Sequence, residues 1–383
     1  MKNNPIKADP PTTKKKITAF SLILLTALFL ITEILARIVI ANPKTFEMFS
    51  NDGEYNASAI WRHQWIKRKR KQIKIDPESF MFSYAQHHPV RGWQLRKNSN
   101  NPNEFRSKSV RVNSKGIRGQ REYPYQRVKG KRRILILGDS FTFGTEVSDN
   151  ETYPHYLQEL LPDDEIINMG VFGYGHDQML LYLKEEGIKY KPDIVMIGYL
   201  SCDECRNLLS FRDYEKPFFK IKNNKLILKN TPIPSPDQLL KNEIWHLKIM
   251  DLLSILKHKV SIKSGKYFFN EKETTNIILE EMVKTIEEME AIPIILHLDG
   301  IRDNQDTQKS LIPKIKEFLT YWRKEKQVHT FFLLHHVDKA KRDLYKKEIE
   351  TKDTLYIKRK YRHFSPFENK VIAASILQEL KNL

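Results

Sequence analysis

The sequence has few of the residues that build disulfide frameworks, metal sites or nucleic-acid modules. Only two cysteines, Cys202 and Cys205, occur in 383 residues, so no second cysteine pair can complete a zinc site. The pair does not open a helix after a thioredoxin-like strand, which argues against a redox catalyst. Two unpaired thiols and a local disulfide remain as interpretations. Because no zinc-finger spacing or RNA-binding aromatic run is present, we predict no nucleic-acid partner.

The composition indicates a globular and strongly basic protein. The hydrophobic fraction is 40%, aromatic residues make up 11%, and the formal net charge is +18. A chain of this length can bury a core of one large or two small domains. The excess of positive charge suits contact with anionic lipid or anionic envelope polymer.

The N-terminus has the pattern of a membrane anchor. Residues 1–16 form a basic tail, and residues 17–41 are apolar apart from Glu33 and Arg37, which are spaced to pair at the membrane interface. Lysines before the apolar stretch place the tail in the cytoplasm. We therefore expect a single-pass inner-membrane protein whose body lies in the periplasm or outside the cell. A cleaved signal peptide is the alternative, and it would also export the body.

Residues 42–130 form a juxtamembrane and approach segment. Within it, the run 62–74 is basic with interleaved apolar residues. This run has two interpretations: a contact with an anionic headgroup layer, or a solvated helix face.

Residues 131–383 show strands alternating with helices. Continuous apolar runs begin at residues 133, 165, 193, 291 and 330, and helical stretches lie between them. Such alternation predicts a parallel sheet with helices on both faces. Residues 211–273 interrupt the pattern and are predicted to be an insertion with prolines and short strand-like pieces, which we expect to influence substrate choice.

Three short motifs fall where strands or helices begin or end. Ser140 follows the first predicted strand in Gly-Asp-Ser, without the second glycine of a Gly-x-Ser-x-Gly elbow because Thr142 stands there. Gly173 follows the second strand and is a candidate backbone donor. His363 precedes Ser-Pro, a helix-start signal. A serine needs a base and an oxyanion-binding pair to act as a nucleophile, and parallel strands bring such groups to one edge.

This ordered set of motifs resembles the SGNH/GDSL hydrolases, in particular membrane-anchored bacterial members, over about residues 90–383. The run 112–119 resembles their approach segment. The resemblance implies a three-layer α/β/α flavodoxin-like domain that hydrolyses ester or acyl groups. It also implies that Ser140 is the nucleophile and His363 the general base. The backbone N–H groups of Ser140 and Gly173 would then form the oxyanion hole, and no metal or cofactor is implied.

Two positions depart from the family pattern. Cys202 stands where the oxyanion-hole asparagine is expected, and a thiol is a poor substitute for an amide donor. Lys360 stands where the acid that orients the histidine is expected, three residues before His363. Asp353 or a backbone carbonyl would then have to replace that acid.

We therefore expect a membrane-anchored, extracytoplasmic serine esterase or acylhydrolase that acts on an ester or O-acylated lipid or glycan. The alternative is a degenerate relative that binds or transacylates such an envelope molecule without efficient hydrolysis. A third interpretation gives the anchor and the 62–74 run a structural role in an envelope assembly.

Overall fold

The computed structural model describes residues 11–72, 83–104, 108–299, 305–333, 339 and 363–383. Its strands are β1 (Ala85–His88), β2 (Gly92–Leu95), β3 (Asn100–Asn103), β4 (Lys108–Arg111), β5 (Arg133–Gly138), β6 (Glu165–Gly170), β7 (Ile194–Tyr199), β8 (Phe218–Lys222), β9 (Lys225–Lys229), β10 (Ile292–His297) and β11 (His329–Phe332). All five apolar runs singled out in the sequence are therefore strands.

These five strands form one parallel sheet in the order β6-β5-β7-β10-β11. Counted along the sheet strands alone, the order is 2-1-3-4-5, which is the flavodoxin-like arrangement. Ile134 in β5 lies opposite Ile166 on one side and Ile194 on the other. The predicted fold class is confirmed.

Helices surround the sheet. Their bounds are α1 (Pro11–Ala41), α2 (Pro43–Phe49), α3 (Ser58–Gln72), α4 (Ser140–Phe143), α5 (Tyr153–Leu160), α6 (His176–Glu185), α7 (Pro236–Asn242), α8 (Lys248–Lys263), α9 (Lys266–Glu287), α10 (Gln305–Thr320) and α11 (Pro366–Leu380). The predicted helices after the strands are present, with ends shifted by a few residues.

Successive residues of the sheet strands point into two separate cores. Leu135 and Leu137 belong to a core that includes residues of α6 and α9, whereas Ile134 and Ile136 belong to one with residues of α5 and α11. Alternation of this kind explains why the runs are apolar throughout, since both faces of a parallel sheet are covered. The two cores define a three-layer α/β/α domain.

The insertion at 211–273 differs from its prediction. It contains the hairpin β8-β9, but most of its second half is helical, comprising α7, α8 and the start of α9. The predicted strand-like pieces therefore account only for the first half of the insertion. Its helices were missed because α8 has apolar residues on more than one side, and a simple amphipathic period does not stand out.

Within the described residues, one helix is long and apolar enough to cross a membrane, and it extends over Lys15–Ala41 in α1. Glu33 and Arg37 form the predicted i, i+4 pair at 2.9 Å. The part of the 62–74 run that is described belongs to α3, where Trp65 and Ile66 are buried while Lys67 and Arg68 are exposed. Residues 73 and 74 lie outside the described residues.

Candidate active site

The Ser140 hydroxyl and the His363 imidazole meet at the carboxyl edge of the sheet. Ser140 begins α4, two residues after Gly138 at the end of β5. Its Oγ lies 2.9 Å from Nε2 of His363, although 223 residues separate the two. Ser140 is 8% exposed and the His363 side chain 21%. The pair predicted from the sequence is thus within hydrogen-bond distance.

The position of Ser140 follows from how α4 sits on the sheet. The Asp139 carboxylate caps α4 by accepting the Phe141 N–H at 2.9 Å. A side chain at Gly170 would overlap the Phe143 backbone, so glycine allows α4 to lie directly against β6. The Asn168 side chain donates to the Thr142 carbonyl at 3.0 Å. These contacts fix the position of α4, the helix that begins with Ser140.

The position of His363 follows from the start of α11. Ser365 caps this helix in a capping box with Glu368, as the Ser-Pro signal predicted. The Phe141 ring lies 4.8 Å from the imidazole and 4.7 Å from the Phe364 ring. The histidine is therefore held between α4 and the first turn of α11.

The loop after β6 presents Gly173 in a left-handed conformation, with φ of +71°. A side chain there would be strained by this backbone conformation, and the Asp213 carboxylate would have to move to make room for it. Trp93 of β2 holds this loop by donating to the Phe172 carbonyl at 2.9 Å. Among the described residues, neither the Ser140 N–H nor the Gly173 N–H donates to a protein acceptor. Their role as oxyanion donors stays a prediction.

Cys202 lies in the 3₁₀ turn Ser201–Leu208, directly after β7. Cys202 is exposed as a residue, and its Sγ lies 3.8 Å from Asp203 Oδ1 in a partly buried contact. Cys202 and Cys205 are both free thiols, so the disulfide interpretation is wrong for this structure. Cys202 as a third oxyanion donor stays a prediction that nothing in its contacts supports.

The sequence missed Glu146, which contacts His363 from the loop after α4. Its Oε2 accepts the His363 backbone N–H at 3.0 Å and lies 3.5 Å from His363 Nδ1. Glu146 has φ of +72°, a conformation that a residue with a side chain adopts at a cost. No spacing rule points to this residue, because the resemblance directs attention to the segment before the histidine. Asp353 and Lys360 lie outside the described residues.

A buried charge cluster lies beneath Ser140. Arg206 pairs with Asp203 at 2.5 Å and with Asp139 at 3.4 Å, and it donates to the Tyr174 carbonyl at 2.9 Å. The same Asp139 oxygen lies 3.2 Å from Ser140 Oγ. The two carboxylates raise the pKa of Arg206, although its burial opposes this. Arg206 therefore stays charged and pairs with both carboxylates.

Two other histidines near the sheet are unsuited to proton transfer. Burial lowers the pKa of His176 to about 3, and it does the same for His297. Both are almost fully enclosed, and the His176 Nδ1 contacts the Asn207 side chain at 3.2 Å. They are neutral parts of the core.

A cavity of about 680 Å³ lies beyond the end of β7. Ser201 and Cys202 line one side of it, and aromatic side chains such as Tyr55, Phe268 and Phe318 line the others. Glu271 lies in the wall of this cavity. Its burial and, to a lesser extent, the negative charge of Glu204 raise the pKa of the Glu271 carboxyl to about 8. Neither Ser140 nor His363 lines this cavity.

No family model and no curated protein matches the chain, but its structure is similar to those of several esterases and lipolytic proteins. A member of the lipolytic G-D-S-L family from Veillonella parvula aligns over 66% of this chain and 100% of its own, with 11% identity and a TM-score of 0.37. An acetylxylan esterase from Geobacillus stearothermophilus aligns over 66% and 96%, with 14% identity and a TM-score of 0.38.

A GDSL-like lipase from Bacteroides thetaiotaomicron aligns over 67% of this chain and 91% of its own, with 12% identity and a TM-score of 0.36. At such identities and scores, the activity of this chain has to be inferred from its own residues. The strand order of the chain is the flavodoxin-like one, and Ser140 follows the first strand of the sheet.

Proposed function

We propose that this chain is a membrane-anchored serine ester hydrolase of the SGNH type, acting on an ester or O-acylated lipid or glycan outside the cytoplasm. The observation that carries the proposal is the 2.9 Å separation between Ser140 Oγ and His363 Nε2. A nucleophile and a base at this distance, at the carboxyl edge of a parallel sheet, are the elements needed for acyl transfer.

In the acylation half, the Ser140 hydroxyl gives its proton to His363 Nε2 while Oγ attacks the carbonyl carbon of the ester. The Ser140 and Gly173 N–H groups would donate hydrogen bonds to the oxyanion of the tetrahedral intermediate. The imidazolium then protonates the leaving alcohol as the C–O bond breaks, which leaves an acyl group on Ser140. In the second half, His363 deprotonates a water, the hydroxide attacks the acyl carbon, and the acid departs as Ser140 regains its proton.

Glu146 acts in this scheme as a positioning residue. Its carboxylate faces the Nδ1 side of His363 at 3.5 Å, where a negative charge favours the tautomer with Nε2 free and stabilises the imidazolium. It would thus take the place of the acid that the family pattern expects before the histidine.

The first test is labelling of the purified full chain by a fluorophosphonate, which reacts with an activated serine. We expect labelling of the wild type and none of Ser140→Ala. Ser201→Ala is the matched control, because Ser201 also follows a sheet strand and its hydroxyl lies 3.1 Å from the Asp299 carboxylate. Folded protein that takes no label, or that takes label without Ser140, would refute the proposal. Ligand binding without turnover would instead favour the degenerate alternative.

The membrane location is tested separately. The apolar helix α1 predicts that the full chain stays with membranes after an alkaline wash and that protease added outside the inner membrane digests the domain. A mature protein whose measured mass lacks α1 would favour the cleaved signal peptide.

A further inference from the structure

The anchor helix is joined directly to the insertion. The Glu33 carboxylate accepts the N–H groups of Lys248 and Ile249, at 2.9 and 3.0 Å, and so caps the N-terminus of α8. Arg37 pairs with Glu33 and donates to the His246 carbonyl at 3.1 Å. Glu33 itself is buried. The start of α8 is therefore fixed at the level of Glu33 along α1.

This level coincides with the end of the uncharged run 17–32 within the apolar stretch. Glu33 lies about 24 Å along the helix from Ile17 at 1.5 Å per residue, and the hydrocarbon core of a bilayer is about 30 Å thick. Charged residues are tolerated near the interface and rare at the centre. A helix attached at Glu33 therefore begins close to the surface of any membrane that α1 crosses.

One face of α8 is apolar and exposed. Met250, Leu253, Leu256 and Val260 follow each other at helical spacing and are 46–67% exposed. Trp245, just before the helix, is 85% exposed, and its neighbour Ile244 is 67% exposed. We name these six residues the interfacial face.

The opposite side of α8 is packed into the protein. Asp251 and Ile255 are buried, and Ile255 belongs to a small core with Ala57, Ala59 and Ile60. The exposure of the interfacial face is therefore a property of a fixed helix, since α8 cannot turn that face inward without losing these contacts.

We propose that the interfacial face lies in the headgroup layer of the membrane that α1 crosses, so that the insertion is a second membrane contact. This inference rests on the anchoring part of the proposed function. Three observations support it: the direct attachment of α8 to α1, the helical spacing of the exposed apolar residues, and a tryptophan at its beginning. Tryptophan is enriched at membrane interfaces, and a helix with one apolar face lies along them. The exposed Lys257 and Lys263 suit anionic headgroups.

The experiment measures tryptophan fluorescence of the full chain in vesicles of phosphatidylcholine and phosphatidylglycerol. Lipids with brominated acyl chains quench tryptophans in the membrane, and iodide quenches those in water. We compare the wild type with Trp245→Phe, and use Trp61→Phe as the matched control because Trp61 is half-buried and lies under Arg212. Phe20→Trp in the Trp245→Phe background reports on α1, since Phe20 is exposed on that helix.

We expect one component of the tryptophan fluorescence to be quenched by brominated lipid and shielded from iodide. This component should disappear in Trp245→Phe and persist in Trp61→Phe. Leu253→Glu with Val260→Glu should shift this component toward iodide quenching.

A Trp245 that is open to iodide faces water and overturns the proposal. A Trp245 that is shielded from iodide but unaffected by brominated lipid is covered by protein, such as a second copy, and also overturns it. In both cases quenching of Phe20→Trp by lipid leaves the anchor intact. Without that quenching, the anchor itself fails, and the proposal fails with it.

Discussion

The protein has two buried charge clusters, one beneath Ser140 and one between α1 and α8. In each, a basic side chain bridges two carboxylates, but the two clusters have different roles. In the first, Arg206 bridges Asp139 and Asp203 beside the strand ends. In the second, Lys248 bridges Glu243 and Asp251, while its backbone N–H is bound by Glu33, 215 residues away in the chain. The first cluster holds a nucleophile, and the second holds two elements together.

The difference lies in what each cluster leaves available. At the strand ends, the buried Ser140 hydroxyl lies within hydrogen-bond distance of His363, where it can react. At the anchor, the Glu33 carboxylate is occupied by two N–H groups and Arg37. Changes at the first site should therefore abolish activity while leaving the fold intact, whereas changes at the second should weaken the structure without touching the chemistry.

The largest effect is expected at His363. His363→Ala removes the base, and we expect kcat/KM for an activated ester such as p-nitrophenyl acetate to fall by at least about 10⁴-fold. The Tm should stay close to that of the wild type, because the side chain is partly exposed and its backbone contact to Glu146 is kept. His155→Ala, on the surface of α5, is the control and should keep full activity. Activity retained by His363→Ala would contradict the view that the site at the strand ends serves chemistry and the anchor cluster serves structure.

The next effect is expected at Glu146. Glu146→Gln removes the charge beside the imidazole, and we expect kcat to fall by about 10²–10⁴-fold. The acid limb of the pH profile should move to lower pH, because the imidazolium loses a neighbouring carboxylate. A purely structural role would lower the Tm without moving that limb.

Two variants isolate the role of Glu146. Glu159→Gln also alters a carboxylate 3.5 Å from a histidine, but at the surface of α5, and it should change neither kcat nor the pH profile. Asp353→Asn should likewise behave as the wild type. A loss at Asp353 and none at Glu146 would show that the acid comes from the segment before the histidine.

The sequence predicts features that local patterns mark, and it does not predict contacts between segments that are far apart in the chain. Ser140, Gly173 and the five strands are marked by local patterns, since continuous apolar runs make buried parallel strands and a parallel sheet gathers its strand ends. Glu146 reaches His363 from a loop in a strained backbone conformation, which no periodicity encodes. The cap that Glu33 gives to α8 joins segments more than 200 residues apart, and only the folded chain shows that contact.

Glu271 provides a contrast with Glu33, because one oxygen of this buried carboxyl, Oε1, has no hydrogen-bond partner among the described residues. Its pKa is raised to about 8, so the folded protein keeps a proton that the unfolded chain loses above about pH 4.5. This contribution to stability is present at low pH and is lost as the pH rises toward 8. We expect Glu271→Gln to be more stable than the wild type near pH 7, by at most on the order of 3 kcal/mol.

Denaturant unfolding at pH 5 and pH 7.5 measures this effect. The advantage of Glu271→Gln should be large at pH 7.5 and nearly absent at pH 5. Glu273→Gln, an exposed neighbour on α9, should show no such pH dependence. Equal stability differences at both pH values would mean that Glu271 is ionised in the folded protein.

The smallest effect is expected at Glu33. Because this carboxylate is paired, its replacement should destabilise the protein, whereas Glu271→Gln should stabilise it. Glu33→Gln removes the negative charge at the N-terminus of α8 but keeps one acceptor oxygen, so we expect a loss of about 1 kcal/mol. In detergent, the full chain should show a lower Tm and faster proteolysis within α8, while kcat on a soluble ester stays unchanged because the strand-end site is untouched. Glu47→Gln, on the short helix after α1, should leave both measurements unchanged. A loss of kcat without a loss of stability would mean that the anchor contact acts on the chemistry, and that the two clusters are coupled.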